Sequence, residues 1–488
     1  MREYYLQKAE ENLPNIYRED IPLSSEETAF CTGDSFVLDL GNHYVGYFSF
    51  VVGYTSVYPD APVRLCVKFC ECRDELDADF SAYKGRLSPT WLQEEIIHID
   101  SVGAYQMPRR YAARYIKIRV LYTPRQITLS QFLFTAVTSA DKRRLTAAEL
   151  DDPALQAIDA VSVNTLKNCM QRVFEDGPKR DRRLWIGDLR LEALTNYETY
   201  GQNELVRRCL YLFASADCDS AGFLPGYVYE SPVFVSGYWF LRDYALLFVV
   251  ALCDYYLHTG DEKTFADLYP VAKKQMEAAQ QETDQNGIFA AREQRNAFID
   301  WNPALKKTTA LHGVYLYTLD ILHKTLVVLK HADAVLFGGR YHRAKQAALL
   351  HLYNQKENNF SNAYDAGQIS VHGAVWMILG GVQAGENAWK ILQKALESNE
   401  SIQAVTPYMH HYLVEAMMKL EKTREAFDHI KNFWGLMVQQ GADTFHEVFV
   451  PGDPDASPYG DKLMNSMCHA WSCTPAYFIR KYNIQLGL

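Results

Sequence analysis

The distribution of apolar and polar positions divides the chain into two parts. Between residues 34 and 136, apolar and polar residues alternate in short runs such as VRLCVKF (63–69) and YIKIRVLY (115–122), and a period of two is typical of strands with one buried face. Half a dozen or more such runs follow one another, separated by Gly, Pro, Asp and Asn turns and without an intervening helix. This part of the chain therefore predicts an antiparallel β-sandwich.

The second part follows a polar linker at residues 138–153, and its apolar residues repeat with a period of 3.6. This pattern predicts about twelve amphipathic helices. Short connections alternate with long ones, and the long ones lie at 176–187, 217–232, 283–307, 356–368 and 440–463. Since alternate connections in an up-and-down array lie at opposite ends, we predict six helical hairpins closed into an (α/α)6 barrel whose long loops surround one mouth. An open helical solenoid is the alternative.

These two patterns predict a multidomain β + α fold, with a domain boundary where the period changes. We expect an N-terminal β-sandwich domain at residues 1–137, a linker at 138–153 and an (α/α)6 barrel domain at 154–488.

Composition and charge narrow the class of partner. The chain has 488 residues, of which 48% are hydrophobic and 22% charged, as in ordinary globular proteins. Its net charge of −10 argues against nucleic acid or an anionic membrane surface as the main partner. The N-terminus has no signal-peptide pattern, and no apolar run reaches the length of a membrane span. We therefore expect a cytoplasmic protein; a homodimer is compatible with the predicted fold, but no residue specifies it.

Cysteine spacing gives no indication of a metal site. Ten cysteines are scattered through the chain without paired metal-ligand spacing, which predicts reduced thiols in a cytoplasmic protein. The acidic segment PGDPDASPYGD (451–461) lacks the ligand order of an EF-hand, and we interpret it as a flexible lid. The sequence predicts neither a metal nor a cofactor.

Carboxylates and aromatic rings are concentrated in the long loops. The first loop, DGPKRDRRLWIGD (176–188), combines acids, cations and Trp185, and later loops carry Trp239, Trp301 and Glu447. Taken singly, each residue has a structural explanation as a core ring, a surface acid or a salt bridge. Their coincidence at one predicted end of the barrel favours a carbohydrate site, because rings stack on sugar faces and two opposed carboxylates can catalyse glycoside hydrolysis.

The first loop carries a resemblance to a known family. It resembles the Asp-Cys-Pro-x-Arg-Glu-x-x-Gly-Trp-x-Gly-Asp motif of the α-L-rhamnosidases of glycoside hydrolase family 78. The spacing agrees without gaps at Asp176, Pro178, Arg180, Asp181, Trp185, Gly187 and Asp188. The segments FIDWNP, FWGLMVQQGADTFHE and SMCHAWS are similar to later parts of that family's barrel, and FVLDLGNHYVGYFSFVV is similar to its preceding sandwich domain.

The resemblance implies an inverting exo-hydrolase that releases terminal α-L-rhamnose, or a close deoxysugar, from small glycosides. Asp181 would be the general acid that protonates the departing oxygen, and Glu447 the general base that activates water on the opposite face. The other matched residues would bind the sugar: Asp176, Arg180, Asp188 and His469 its hydroxyls, and Trp185, Trp239 and Trp301 its ring and C5 methyl group.

Two positions depart from the family pattern. Asp181 stands where the family usually has Glu, and His446 stands where it often has Trp. Two other readings therefore remain open. The first is an unsaturated-uronyl hydrolase-like or lyase-like enzyme in which KRDRR binds a substrate carboxylate. The second is a sugar-binding protein disabled by the shorter acid.

Overall fold

The structure is a computed structural model that describes residues 1–55, 61–290, 296–361 and 367–482. The segments 291–295 and 362–366, which belong to two of the predicted long connections, lie outside the described residues.

The N-terminal domain is an antiparallel sheet preceded by a short helix, α1 (Arg2–Glu10), and interrupted after the fourth strand by α2 (Asp74–Asp77). Its strands are β1 (Tyr17–Ser24), β2 (Thr28–Phe30), β3 (Ser35–Tyr54), β4 (Val63–Cys70), β5 (Glu94–Ile99), β6 (Gly103–Gln106), β7 (Tyr111–Tyr122) and β8 (Ile127–Thr138). They are hydrogen-bonded in the order β1-β8-β3-β7-β4-β5, with β2 on β8 and β6 on β3.

Strand β3 is the centre of this domain. It pairs with β6, β7 and β8, and register shifts on its two sides mark irregularities that bend the sheet. Alternate residues of β3, such as Phe48, Phe50 and Val52, enter one hydrophobic core together with residues of β4, β7 and β8. The period-two pattern thus corresponds to the buried face of the sheet.

The C-terminal domain is helical. Its helices are α3 (Pro153–Cys169), α4 (Ile186–Glu198), α5 (Asn203–Ala214), α6 (Arg242–Thr259), α7 (Glu262–Gln281), α8 (Thr308–Val328), α9 (Ala334–His351), α10 (Val371–Leu379), α11 (Gly385–Glu397), α12 (Pro407–Lys419), α13 (Thr423–Gln439) and α14 (Pro475–Tyr482). The connections contain two small sheets of very short strands. The first has three strands, β9 (Leu184–Trp185), β10 (Tyr227–Tyr229) and β11 (Val235–Ser236), and the second has two, β12 (Tyr353–Asn354) and β13 (Asn359–Phe360).

Alternate helices form a closed inner ring. Helix α4 contacts α6, α6 contacts α8, α8 contacts α10 and α10 contacts α12, while α14 contacts α4 and the segment before α14 contacts α12. Inner helices such as α6 and α10 are buried along nearly their whole length, as expected for helices that are apolar on all sides. This closure confirms the predicted (α/α)6 barrel and excludes the open solenoid.

Two features of the surface bear on the sequence predictions. Helix α1 packs on α5 of the barrel, where Tyr5 and Ala9 are buried, although it precedes the sheet in the chain. Within the described ranges, no helix is both long and apolar enough to cross a bilayer.

The segment 451–461, expected to be a flexible lid, is anchored at its C-terminal end. Tyr459 is buried in a small cluster with Phe80, Leu92 and Met464. The backbone N–H of Arg86 donates to the carbonyl of Tyr459 at 2.8 Å. The lid expectation is therefore wrong for this end of the segment, because an aromatic ring and a backbone hydrogen bond fix it on the N-terminal domain.

Candidate active site

The first loop is a tight turn closed by one carboxylate. The backbone N–H of Asp176 donates to the carbonyl of Arg183 at 3.0 Å, and the N–H of Arg183 donates to Oδ1 of Asp176 at 2.9 Å. At the tip, Asp181 and Arg182 adopt left-handed conformations with φ of 65° and 51°, which few residues with side chains adopt. The turn therefore presents Asp181 at a defined point of the barrel mouth.

Helix α4 begins directly after this turn and brings Asp188 into the barrel. A Cβ at Gly187 would lie 2.5 Å from the ring of Tyr244, so only glycine allows α4 to start this close to α6. The same tyrosine ring lies edge-on to Trp185, with 6.2 Å between centroids. The close approach fixes Trp185 and Asp188 relative to the inner ring of helices.

Arg180 joins the two candidate catalytic carboxylates. Its Nη2 lies 2.5 Å from both oxygens of Glu447, and its Nη1 lies 3.5 Å from Oδ2 of Asp181. Glu447 also accepts hydrogen bonds from the hydroxyl of Tyr459 and from the N–H of Ser466. One buried guanidinium group therefore holds the first loop against the last one.

The protonation of Glu447 follows from these contacts. Burial alone would raise the pKa of this carboxyl, but the charge of Arg180, with smaller contributions from His469 and Tyr459, lowers it below its usual value. Glu447 is therefore a carboxylate at neutral pH.

The pKa values of two neighbouring acids are shifted in the opposite direction. Burial, followed by the charges of Asp181 and Asp188, raises the pKa of Asp176 well above its usual value. Burial, followed by the charge of Glu447, raises the pKa of Asp188 in the same direction. Both can therefore carry protons and donate hydrogen bonds. Burial lowers the pKa of His469 to about 4, so its imidazole is neutral.

Several polar atoms in and beside these residues are buried without a hydrogen-bond partner in the described part of the chain, although two of them, Oδ1 of Asp188 and Nδ1 of His469, lie 3.4 Å from each other. They are Oδ1 of Asp188, Nδ1 of His469, Oγ of Ser466 and the indole nitrogens of Trp185 and Trp301. Buried polar groups in native proteins are nearly always hydrogen-bonded. Similar atoms occur elsewhere in the molecule, but those of Asp188 and His469 face one another, and a polar ligand with several hydroxyl groups would satisfy the atoms of the predicted site residues.

The predicted aromatic residues occupy different positions around the mouth. Trp185 is buried, whereas Trp239 is 56% exposed and lies 6.2 Å from Trp185 between ring centroids. Trp301 packs edge-on to Tyr459 at 5.9 Å. The structure brings Asp176, Arg180, Asp181, Asp188, Glu447 and His469 together, and the three tryptophans lie in loops at the same end.

Residues of the N-terminal domain support this site and were missed from the sequence. Nζ of Lys179 lies 2.7 Å from Glu75 and 3.1 Å from Glu71. Glu71 also accepts a hydrogen bond from the N–H of Met467 at 2.8 Å. Two carboxylates of the sheet domain thus fix the first loop and the segment that carries His469. Only a three-dimensional pairing could have revealed them, since Glu71 and Glu75 have no distinctive sequence context.

Tyr459 was also missed, although it lies within the acidic segment whose sequence was considered. Besides its contact with Glu447, its hydroxyl accepts a hydrogen bond from Arg180 at 2.9 Å. In the described residues, no group of three or more His, Cys, Asp or Glu side chains is arranged to hold a metal ion.

The chain matches two family models, which together cover most of its length. Residues 16–138 match the glycosyl hydrolase family 78 alpha-rhamnosidase N-terminal domain. Residues 143–482 match the bacterial alpha-L-rhamnosidase six-hairpin glycosidase domain. No curated protein matches the chain.

Solved structures agree with these matches. A rhamnosidase from Klebsiella oxytoca with rhamnose bound is 37% identical, with 99% of each chain covered and a TM-score of 0.94. The family 78 rhamnosidase of Bacillus sp. GL1 is 21% identical with a TM-score of 0.78, and the match covers 91% of this chain and 46% of that one. An α-L-rhamnosidase from Streptomyces avermitilis complexed with L-rhamnose is 14% identical with a TM-score of 0.69, over 96% and 44% of the two chains.

The resemblance found in the sequence is therefore confirmed over nearly the whole chain. The family models and the Klebsiella structure agree with the fold of both domains. This chain belongs to glycosyl hydrolase family 78, the α-L-rhamnosidases, and is a glycoside hydrolase with a six-hairpin barrel.

Proposed function

We propose that this protein is an inverting exo-α-L-rhamnosidase in which Asp181 is the general acid and Glu447 the general base. Family membership supplies the reaction class, and the 37% identical Klebsiella enzyme was solved with rhamnose bound. The observation that carries the assignment of the two roles is the different environment of the two carboxyl groups on Arg180.

Glu447 has the properties of a base. Its side chain is only 2% exposed, and Arg180 keeps its pKa low, so it is ionised and can accept a proton from water. Asp181 is 16% exposed at the tip of its turn, where a leaving group that extends towards solvent can be reached. The burial difference therefore favours Asp181 as acid and Glu447 as base.

The inverting mechanism is proposed from the family resemblance, and it sets a requirement on the separation of the two carboxyl groups. They contact different nitrogens of one guanidinium group, so they are not in direct contact. Inverting enzymes keep their carboxyl groups roughly 6.5–9.5 Å apart to accommodate a water molecule, whereas retaining enzymes need about 5–5.5 Å. The proposed mechanism therefore requires the wider of these two spacings between Asp181 and Glu447.

The reaction follows from these roles. Asp181 gives its proton to the glycosidic oxygen as the bond from that oxygen to C1 breaks. Glu447 takes a proton from the water whose oxygen forms the new bond to C1 on the opposite face. The products are the free sugar with inverted anomeric configuration and the alcohol of the leaving group.

The remaining residues bind the sugar. Protonated Asp176 and Asp188 donate to hydroxyl groups, and neutral His469 offers a further polar contact. Trp185, Trp239 and Trp301 would enclose the ring and its C5 methyl group. Such an apolar wall favours a 6-deoxy sugar over a hexose by about 1–3 kcal/mol. Arg180, which is predicted to bind hydroxyls, also acts as a positioning residue for both carboxylates.

The alternative readings of the sequence gain less support. Lys179 and Arg180 are already paired with Glu75 and Glu447, so these two cations of KRDRR are not available to a substrate carboxylate in the sugar pocket. A disabled sugar-binding protein would keep the same rings but would not turn over any glycoside. The cytoplasmic location, the homodimer and the division at residues 138–153 stay predictions.

The test is release of nitrophenol from p-nitrophenyl α-L-rhamnoside by the wild type, Asp181→Asn and Glu447→Gln. We expect turnover by the wild type and a loss of about 100-fold or more in kcat for each variant. Asp455→Asn, at an exposed acid of the last loop, is the matched control and should retain activity. NMR of the first product formed should detect the inverted anomer.

Two results would contradict the proposal. Retention of configuration in the first product would exclude the assigned mechanism. A wild type that is inactive on this and related aryl glycosides would favour the disabled sugar-binding protein.

A further inference from the structure

A cavity outside the candidate active site lies at the junction of the two domains, next to the first loop (176–188). Its volume is about 600 Å³, within the range of small-molecule sites. The N-terminal domain contributes Arg18 and Arg110 to its wall, and the barrel contributes Arg172, Arg182 and Tyr229. None of these residues has a part in the mechanism described above.

Arginines outnumber acids in this cavity. The two acids of the lining are Glu175 and Glu230, and each already contacts an arginine. Glu175 accepts two hydrogen bonds from Arg110, at 2.7 and 2.9 Å. Glu230 lies 3.3 Å from Arg208, which is not part of the lining.

The other three arginines of the lining are not in direct contact with a carboxylate, although the charge of Glu175 acts on Arg182 and that of Arg172 on Glu230 at longer range. Within the described ranges, Arg18, Arg172 and Arg182 form no ion pair. The Nε of Arg182 is buried without a hydrogen-bond partner, and its Nη2 donates one long hydrogen bond, of 3.5 Å, to Gln93. An anion in the cavity would satisfy these donors.

Arg182 is also crowded by like charge. Burial, followed by the positive charge of Arg110, lowers its pKa to about 10. A guanidinium group that is held near another cation and is short of hydrogen-bond partners gains from an anion, because the anion offsets the repulsion and accepts from its N–H groups.

The cavity is close to the candidate general acid. Arg182 follows Asp181 directly, and Nη1 of Arg183 lies 3.8 Å from the Asp181 carboxylate. The guanidinium of Arg183 also lies over the ring of Tyr229, 4.6 Å from its centroid, and Tyr229 lines the cavity. Because the acid protonates the oxygen of the leaving group, the leaving group must lie on this side of the sugar.

We propose that this cavity binds the leaving group and that its arginines recognise a carboxylate on it, as in an α-L-rhamnoside of a uronic acid or of another carboxylic acid. The inference rests on the proposed function, and it adds the chemical class of the aglycone. The sugar pocket selects the deoxysugar, while Arg182, Arg172 and Arg18 select the negative charge beside it.

The test compares two substrates that differ in charge but hardly in shape, 3-carboxyphenyl and 3-carbamoylphenyl α-L-rhamnoside. In the wild type at low ionic strength, we expect kcat/KM to be about tenfold or more higher for the carboxylate. The preference should decrease in 0.5 M NaCl because salt screens the interaction.

Variants identify the arginines responsible. Arg182→Gln and Arg172→Gln should each reduce the ratio of the two kcat/KM values, whereas Arg424→Gln, at an exposed arginine in the first turn of α13, should leave it unchanged. Arg172 is exposed, so its variant provides the test even if Arg182→Gln fails to fold.

Equal kcat/KM values for the two substrates, or a preference that survives in both cavity variants, would overturn this inference. A wild type that hydrolyses only the carboxylate substrate would support the inference in its extreme form, whereas a wild type that hydrolyses neither compound contradicts the proposed function itself.

Discussion

The hydroxyl of Tyr459 is a small group with a large effect on the candidate base. It donates to Glu447 and accepts from Arg180, so it completes the set of contacts that keep the carboxylate ionised. Its ring is fixed by the cluster with Phe80 and Met464. The orientation of Glu447 therefore depends on a residue of the last loop and, through it, on the N-terminal domain.

Replacing Tyr459 by Phe should weaken the base without removing it. The variant loses one hydrogen bond to a charged group, and we expect kcat/KM to fall about tenfold or more. Because that hydrogen bond lowers the pKa of Glu447, its loss raises the pKa, and the acid limb of the pH profile should move to higher pH. Tyr122→Phe, at a 52% exposed tyrosine of β7, is the control; an unshifted acid limb would show that Tyr459 has no such role.

At the scale of single residues, the sequence predicted the candidate acids and the histidine but not the residues that hold them in place. The acids and the histidine of the site were predicted because they lie in a spaced motif or in a long loop. Tyr459 and Glu71 act through contacts with residues remote in the chain, and a tyrosine in SPYGD or a glutamate after a strand resembles many others. The contact of Arg180 with Glu447 was not predicted either, because the position of Arg180 in the sequence does not reveal that Glu447 lies against it.

At the scale of elements, the positions of Trp185 and Asp188 at the mouth depend on where helix α4 begins. Gly187→Ala should place a methyl group against the ring of Tyr244, where the available distance is 2.5 Å. We expect a loss of about 1–3 kcal/mol in the free energy of unfolding, seen as a lower melting temperature, together with reduced activity because Trp185 and Asp188 shift.

A second helical glycine provides the matched control. A Cβ at Gly339, in α9, would have as its nearest neighbour the Nη1 of Arg343 at 3.5 Å, an ordinary contact. Gly339→Ala should therefore leave the melting temperature unchanged or raise it, since alanine favours helix more than glycine by about 1 kcal/mol. If both variants melted alike, the close approach of α4 to Tyr244 would not be important for stability.

Helix existence was predictable, but two boundaries were not. The sequence predicts a helix from 233, yet α6 begins at Arg242, because Val235 and Ser236 pair with β10 and Gly237 lies against the backbone of Tyr227. The apolar Val233 and Val235, which suggested a helix, are 67% and 46% exposed. Periodicity cannot distinguish apolar residues of a core from those of a loop over a site.

The last helix also begins later than its sequence pattern predicts. The pattern predicts it from 464, whereas α14 begins at Pro475. In the residues between, the N–H of His469 donates to Phe445 and that of Ala470 to Asp176. These backbone groups are satisfied by other loops rather than by a helix, and such tertiary hydrogen bonds leave no local pattern in the sequence.

For the molecule as a whole, neutral histidines that are buried or half-buried make one contribution to the response to acid. Burial lowers the pKa values of His312, His429, His446 and His469 to about 4, against 6.5 for a histidine in the unfolded chain. Below pH 6.5 the unfolded chain binds protons that the folded protein does not. The contribution of the histidines to stability should therefore be complete above pH 6.5 and should decrease as the pH falls towards 4, whereas the raised pKa values of Asp176 and Asp188 act in the opposite direction.

Melting temperatures measured between pH 7 and 4.5 check this expectation. His429→Leu should reduce the pH dependence by the contribution of one proton, about 1.4 kcal/mol per pH unit. His342→Gln, at an exposed histidine of α9, should leave it unaltered. A pH dependence that is the same in His429→Leu as in the wild type would rule out this histidine as a cause of acid sensitivity.

The contacts of the N-terminal domain with the catalytic loops also limit how this enzyme can be recombined. Glu71 and Glu75 pair with Lys179, and Arg86 contacts Pro458 and Tyr459. A chimera that joins this barrel to the sheet domain of a relative would need acids and a cation at the same places, or the loops would lose their anchors. The two domains therefore cannot be exchanged independently between relatives unless these anchoring contacts are kept.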